Sequence, residues 1–329
     1  VKKMKMTKGK KIAFWILGVL LFFIIGTVGG VYIYANSLFN KMEKVEINKD
    51  NVGIAQEVED KLSKYDDSIT NIALFGIDTS DGGVGRSDSI MIATIDTHNK
   101  KLKLTSIMRD SYVNIDGHGL DKINHAYAFG KAELAIKTLN ENFDLNISEF
   151  AAVNFSTLPK IIDKLGGIEL DIDSEELQYI NGYISELNGI NNTSVSPISS
   201  TGLQHVNGTQ AMAYCRIRYT SGGDYKRTER HREVLSKMFE KILSMSPTSY
   251  PSLLNEILPM ISTSLSASEI MDLGNEVLKV GSTSLEQERF PLDGYCEGQM
   301  IGGVYYLTFD KETTVNQLHD YIFEDKRTW

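Results

Sequence analysis

The apolar positions of this chain change period several times along its length, and each change marks a different kind of element. Residues Ile12 to Ala35 carry no charge, and at 1.5 Å per residue a run of that length crosses a hydrocarbon core of about 30 Å. It predicts one N-terminal transmembrane helix. From Asn71 the pattern shifts to three strand-like runs, NIALFGID, SIMIATID and LKLTSIMRD, the first two joined by a Gly-rich loop and the last two by His98 to Lys101. As an antiparallel meander, they would bring Asp78 at the end of the first, Asp88 near the start of the second and Arg109 at the end of the third to one edge of a sheet.

Helical spacing follows in Ala132, Ala135, Ile136, Leu139 and Phe143, and Pro159 stands near the first turn of a segment carrying Ile161, Ile162 and Leu165. Gly166-Gly167 predicts the end of that helix, and GIELDID the next strand. Ser174 to Val206 reads as a long polar segment, either a mobile flap or a surface excursion. The alternation through Ala211, Ala213 and Tyr214 suits a strand with Arg216 and Arg218 on one face and Cys215 packed as a small apolar residue on the other. After a Gly222-Gly223 turn, Val234, Leu235, Met238, Phe239 and Ile242 mark a helix. Ser266 with Glu269 forms a capping box for a helix carrying Ile270, Leu273 and Val277. Sheet-forming runs interleaved with amphipathic helices, with no fixed repeat, predict an α/β domain layered helix-sheet-helix, with some antiparallel character.

Charge sets the topology. Lys2, Lys3, Lys5, Lys8, Lys10 and Lys11 precede the apolar run with no acidic residue, which by the positive-inside rule places a basic tail, residues 1–11, in the cytoplasm and sends the remainder outside. No small-residue cleavage site stands out, so residues 12–35 are expected to be an uncleaved signal anchor in the cell membrane. Removing the six lysines from the net charge of −9 leaves −15 for the rest of the chain. So acidic a body repels nucleic acid, and no such partner is expected; a basic site on it must be local and concave. Residues 36–70, charged and weakly periodic, read as a stem or small accessory helix, and 71–329 as one extracytoplasmic domain. Two cysteines, Cys215 and Cys296, allow one bridge without implying it.

The run RIRYTSGGDYKRTER concentrates Arg216, Arg218, Arg227 and Arg230 with Asp224 in this acidic chain. Guanidinium forks grip phosphate oxygens, and a helix starting after Gly223 adds free N–H groups; the same run also fits a solvated salt-bridge network. Asp78 and Asp88 beside these arginines have the composition of a site for a hard divalent cation, Mg²⁺ above all, that bridges a diphosphate. Around Gly82, Gly83 and Gly85 the two aspartates suit turn formation equally well.

The ordered blocks NIALFGID, GRSDSIMI, TSIMRDSYVNI, KINHAYAFG, VNFSTLPKIIDKLGGIELDI and GTQAMAYCRIRYTSGGDYKRTERHREVL resemble the LytR-CpsA-Psr family of membrane-anchored cell-envelope phosphotransferases, across residues 71–245. The resemblance implies a central mixed β-sheet flanked by helices and an apolar pocket for a polyprenyl tail. The implied reaction moves teichoic acid, capsular or related glycopolymer from an undecaprenyl-pyrophosphate donor to a peptidoglycan acceptor, with magnesium assisting. Position by position, Asp78 and Asp88 match the metal-associated aspartates, and Arg109, Arg216, Arg218 and Arg227 the pyrophosphate-binding arginines; Arg86 and Asp224 lie in the same motifs. Asp224 is expected either to orient an arginine or to act as general base. His231 stands where the family often has glutamine, and a phosphate contact from it would depend on pH. Hydrolysis by the same site is the competing activity, and a membrane-bound transcriptional attenuator is a weaker alternative, since no basic helix-turn-helix pattern is present.

Overall fold

The computed structural model describes residues 34–65, 68–79 and 85–329. Most of the expected membrane span lies outside them, and among the described residues no helix is long and apolar enough to cross a membrane. The segment expected to be a stem or small accessory helix packs into the domain. Its strand β1 (Glu43–Lys44) pairs in parallel with β10 (Ile261–Thr263) at a sheet edge. Its helix α1 (Gln56–Leu62) buries Leu62, and Val52 joins the same core.

The expected meander forms from β2 (Ile69–Asp78), β3 (Arg86–Asp96) and β4 (Lys101–Ile107), each antiparallel to the next. With β7 (Phe150–Asn154) and β11 (Glu286–Phe290), they complete a seven-stranded sheet ordered β1-β10-β7-β2-β3-β4-β11. Parallel pairs (β2 with β7, β4 with β11) and antiparallel pairs coexist, so the sheet is mixed. Three short antiparallel pairs stand apart: β5 (Tyr112–Ile115) with β6 (Gly119–Lys122), β8 (Ile168–Ile172) with β9 (Gly202–Val206), and β12 (Cys296–Ile301) with β13 (Val304–Phe309).

Strand alternation divides the packing into two layers. Ala73, Phe75, Ile90, Ile92, Phe150 and Ala152 face one core, covered by α2 (His125–Phe143) and α9 (Lys311–Phe323) through Ile136, Leu139, Leu318 and Ile322. The opposite face carries Leu74, Gly76, Met91, Ala151 and Val153, beneath α3 (Leu158–Lys164), α6 (Gly223–Ser244) and α7 (Tyr250–Ile257). The predicted capping box of Ser266 with Glu269 starts α8 (Ala267–Val280).

Two expectations change. Ser174 to Val206 is no flap: Asp173 and Glu176 form a capping box that starts α4 (Ser174–Asn191), which buries Ile180, Ile184 and Leu187 and is followed by β9. The residues up to Arg216 are helical too, because Asn207 and Gln210 cap α5 (Gly208–Arg216) and Ala211, Met212, Tyr214 and Cys215 are buried along it. Cys215 is an apolar core residue as expected, on a helix instead of a strand. Only glycine fits at position 208, where a Cβ would lie 1.9 Å from the Pro159 carbonyl oxygen. That close approach seats α5 on α3.

Candidate functional site

A β-bulge begins the site. Along β2 and β3 the register runs Gly76↔Ser89 and then Ile77↔Ser87, which leaves Asp88 as the extra, unpaired residue. A bulge re-aims the side chain it carries, and Asp88 reaches across the strand ends to two partners. Arg109, just beyond β4, brings Nη1 within 2.9 Å of Asp88 Oδ2. Asn124, at the start of α2, donates its amide Nδ2 to Asp88 Oδ1 at 2.9 Å.

The other half comes from the first turns of α6. Asp224 Oδ1 lies 3.5 Å from Arg109 Nη2 and in contact with Arg227 Nη2, so one carboxylate oxygen stands between two guanidiniums. Arg109 also approaches Asp110 at 3.6 Å, and Lys122 Nζ lies 2.7 Å from the other oxygen of Asp110. Alternating carboxylates and cations thus link four elements.

Burial and neighbours set the protonation states. Desolvation alone would raise the Asp88 carboxyl, but Arg109, the Asn124 amide and Arg227 outweigh it and hold it below the usual carboxylate range. Burial opposes the charge on Arg109, yet Asp224, Asp88 and Asp110 together raise its pKa. Arg227 is depressed, first by burial, to which repulsion from Arg109 and Arg218 adds, while Asp224 and Asp88 oppose the shift. Several polar atoms of this cluster are buried without a hydrogen-bond partner: the donors Arg109 Nε and Arg227 Nε and Nη2, and the acceptors Asp224 Oδ2 and Asn124 Oδ1. The Arg227 contact with Asp224 is close but poorly aligned, so charge attraction does not satisfy that donor. Buried N–H groups left unmet cost free energy that an incoming anion would recover.

An apolar cavity of about 250 Å³ adjoins this cluster. It lies between the sheet face of Leu74, Gly76, Met91, Ala151 and Val153 and the helix residues Val234, Leu235, Met238 and Ile242 of α6, with Phe155 and Ile257 closing it. A Cβ on Gly76 would meet the Phe155 ring at 2.7 Å, so glycine there lets the ring lie against the sheet. Asp224, Arg227, His231, Leu235, Met238 and Ile242 follow one another three or four positions apart along α6 and share one face. That face begins charged and ends apolar.

The remaining expected site residues divide. Arg218 is exposed, near enough to Arg227 to depress it electrostatically. Arg86 is exposed at the first position of β3, opposite Asp78 in the register, and Asp78 ends β2 beside the cluster's strand edge. Arg216 does not share a strand face with Arg218: it ends α5, and its Nη2 lies 3.0 Å from Glu186 Oε1 on α4. Arg230 points away from the site. Its buried guanidinium bonds Glu176 Oε1 at 2.8 Å, Thr220 Oγ1 at 2.8 Å and the Ile217 carbonyl at 3.2 Å, fixing the turn that carries Arg218.

His231 departs from its expected role. Its Nε2 lies 3.1 Å from the Cys215 carbonyl oxygen, the ring sits 5.6 Å from Phe155, and it lines the cavity. Burial, and then the charge of Arg227, lower its pKa to about 3. It is therefore neutral near pH 7, and a phosphate contact that switches with pH in that range is not expected of it.

Sequence reasoning missed Asn124, Asp110 and Lys122. Each lies in or beside a quoted block, but no spacing rule points from them to Asp88 or Arg109; the bulge and the turn after β4 do that.

Among the described residues no three His, Cys, Asp or Glu side chains converge as a metal site. The donor set near the strand edge is two aspartates, one of them held ionised, which suits a hard cation that takes its remaining ligands from water and substrate oxygens.

A sequence model described as LytR_cpsA_psr family matches residues 29–321. The polyisoprenyl-teichoic acid–peptidoglycan teichoic acid transferase TagU of Bacillus cereus (strain AH820) is 32% identical over 324 residues, 95% of this chain and 98% of that protein. The protein of the same name from Enterococcus faecalis (strain ATCC 700802 / V583) is 32% identical over 303 residues, covering 88% and 92%. Among solved structures, the LytR-CPS2A-psr family protein YwtF (TagT) with bound octaprenyl pyrophosphate lipid aligns over 78% of this chain and 90% of that one, with 27% identity and a TM-score of 0.58. With matched blocks, mixed sheet and adjoining cavity all in place, the chain belongs to the LytR-CpsA-Psr family.

Proposed function

We propose that this protein is a membrane-anchored phosphotransferase that moves a glycopolymer, teichoic acid or a related polymer, from an undecaprenyl-pyrophosphate carrier to peptidoglycan. The observation that carries this is the single face of α6 that runs from Asp224 and Arg227 to Leu235, Met238 and Ile242 beside one cavity. An anionic head and a long apolar tail on one molecule match that order. The names of the teichoic acid transferases it resembles, and the octaprenyl pyrophosphate bound to one structural relative, support the same substrate class.

In the proposed reaction an acceptor sugar hydroxyl attacks the phosphorus nearest the polymer. A P–O bond forms to the acceptor as the bond to the bridging oxygen breaks, and polyprenyl phosphate leaves with that electron pair. The transition state is loose, so the hydroxyl proton departs late, to solvent at the mouth of the site. Arg109 and Arg227 would grip the diphosphate through their unmet donors and oppose charge building on its oxygens. Arg218 and Arg86 would add charge from the rim, as would Arg216, whose half-exposed pair with Glu186 holds it only weakly. Asp224, with Oδ1 between two guanidiniums, suits the orienting role better than that of a base.

A magnesium ion is part of the proposal. Asp88, Asp110 and Asp224 already offset Arg109, Arg227 and Lys122, so a diphosphate needs further positive charge. Asp78 and Asp88 would hold the ion, which would neutralise phosphate oxygens when bound. The N-terminal apolar run would anchor the domain on the outer side of the membrane. Reconstituted transfer tests the function: labelled polymer from a lipid-pyrophosphate donor should appear on peptidoglycan, and its appearance only as free polymer would mark a hydrolase instead.

A further inference from the structure

The β12–β13 hairpin is docked onto both arms of the charged cluster. On one side the Leu307 amide donates to the Asp110 carbonyl at 2.8 Å, and Leu307 bridges to Ser111. On the other, Cys296 Sγ lies 3.4 Å from the hydroxyl of Tyr225, the neighbour of Asp224 in sequence. Between these attachments the hairpin presents Tyr305, 45% exposed, with Met300 and Val304 also open to solvent. A Cβ at Gly298 would come within 2.6 Å of the Tyr305 phenol oxygen, so the missing side chain lets the ring lie across the neighbouring strand. Lys122 Nζ stands 5.8 Å from the Tyr305 ring centroid and 5.9 Å from that of Tyr306, and the Tyr306 ring packs on Tyr112 at 4.6 Å. The same ammonium bonds Asp110, which borders Arg109. Burial and the carboxylates of Asp110 and Asp224 raise the Tyr305 phenol.

An open aromatic ring flanked by an ammonium and carboxylates suits a saccharide, which offers C–H faces to the ring and hydroxyl and amide groups to the polar neighbours. A lipid tail would need a dry groove, which lies on the far side of His231 in the cavity already described. We propose that Tyr305, with Lys122 and Tyr306 beside it, binds the acceptor, a hexosamine polysaccharide of the peptidoglycan type, and steers its hydroxyl toward the diphosphate held by Arg109 and Arg227. This rests on the transferase reading above. Tyr305 is a binding residue for the acceptor and takes no part in bond making.

The test uses the full chain in lipid vesicles, with saturating lipid-pyrophosphate-linked saccharide as donor and soluble peptidoglycan glycan strands as acceptor. Calorimetric titration with the same strands, without donor, runs beside it. Tyr305→Ala is expected to raise half-saturation by acceptor on the order of tenfold and to weaken strand binding in parallel, while the rate at saturating acceptor stays within about twofold. Tyr305→Phe, which keeps the ring, should restore most of the loss. A variant whose only change is a lower maximal rate, or whose acceptor half-saturation and strand affinity match wild type, overturns the subsite while leaving the transferase standing. Wild-type protein that binds the strands through Tyr305 yet transfers nothing to them overturns the transferase reading and leaves the binding site.

Discussion

Arg109 Nη1 and Asp88 Oδ2 meet at 2.9 Å because a bulge in β3 turns Asp88 toward the turn after β4. The pair has two separable roles. Truncating Arg109 to alanine should lower transfer about 10²- to 10³-fold through the lost clamp and should also destabilise the domain by about 1–3 kcal/mol, since a buried carboxylate loses a partner. Adding Asp88→Asn should recover much of the stability and none of the activity, as measured by thermal unfolding beside turnover. Recovery of activity in the double variant would mean that Arg109 matters only as the partner of Asp88.

Arg216 and Arg227 look equivalent in sequence and differ in place. Arg227 is buried in the cluster with unmet donors, whereas Arg216 is tied to Glu186 in a partly exposed pair. Arg227→Ala should cost about 10²-fold or more in transfer, and Arg216→Ala clearly less, with little change in stability because exposed pairs contribute about 0–1 kcal/mol. Equal losses in the two variants would place Arg216 inside the clamp.

Much of the fold is legible from residues alone, for reasons that differ by element. The meander follows from three alternating runs with short connections, so the common edge of Asp78, Asp88 and Arg109 can be drawn from the chain itself. The bulge cannot, because it is a property of register between strands. Helix α4 carries its signal openly in the Asp173–Glu176 capping box and in Leu177, Ile180, Ile184 and Leu187, but Asn181, Gly182, Asn188 and Gly189 dilute it into an apparent excursion. Asn188 has a role of its own there, since its side-chain amide donates to the Val195 carbonyl at 2.9 Å.

For α5, the alternation of Ala211, Ala213 and Tyr214 suggests a strand, while the Asn207–Gln210 capping box, the stronger local signal, sets a helix. In the site, Arg230 is indistinguishable from Arg227 by type and spacing, and only the path of the 217–220 turn separates the arginine that bonds Glu176, Thr220 and Ile217 from the one in the charged cluster.

His231 gives the domain a pH dependence with a defined sign. Its pKa is about 3 in the fold, against about 6.5 when unfolded, so the unfolded chain binds one more proton between those values and stability rises with pH across that window. The contribution is fully present above about pH 6.5 and is lost at up to about 1.4 kcal/mol per pH unit as pH falls toward 3. His231→Gln should remove close to one proton from this linkage in denaturant unfolding followed between about pH 6.5 and 4. An unchanged slope would mean that His231 is not held neutral by its burial.

Filling the cavity should separate tail from head. Ala151 lines it on the sheet side, and Ala151→Phe would project a ring into that space at little cost to stability. Affinity for a polyprenyl pyrophosphate should fall at least about tenfold, while inorganic pyrophosphate, which has no tail, should bind as before. Equal weakening of both ligands would argue that the cavity is not where the tail goes.

The most direct measurement is a crystal structure of the protein with a polyprenyl pyrophosphate bound. Phosphate oxygens should lie within hydrogen-bond distance of Arg109 Nε and Arg227 Nε and Nη2, with the tail running past His231 between α6 and the sheet. A diphosphate bound away from these two arginines, or a tail lying outside the cavity, would contradict the proposed function of this site.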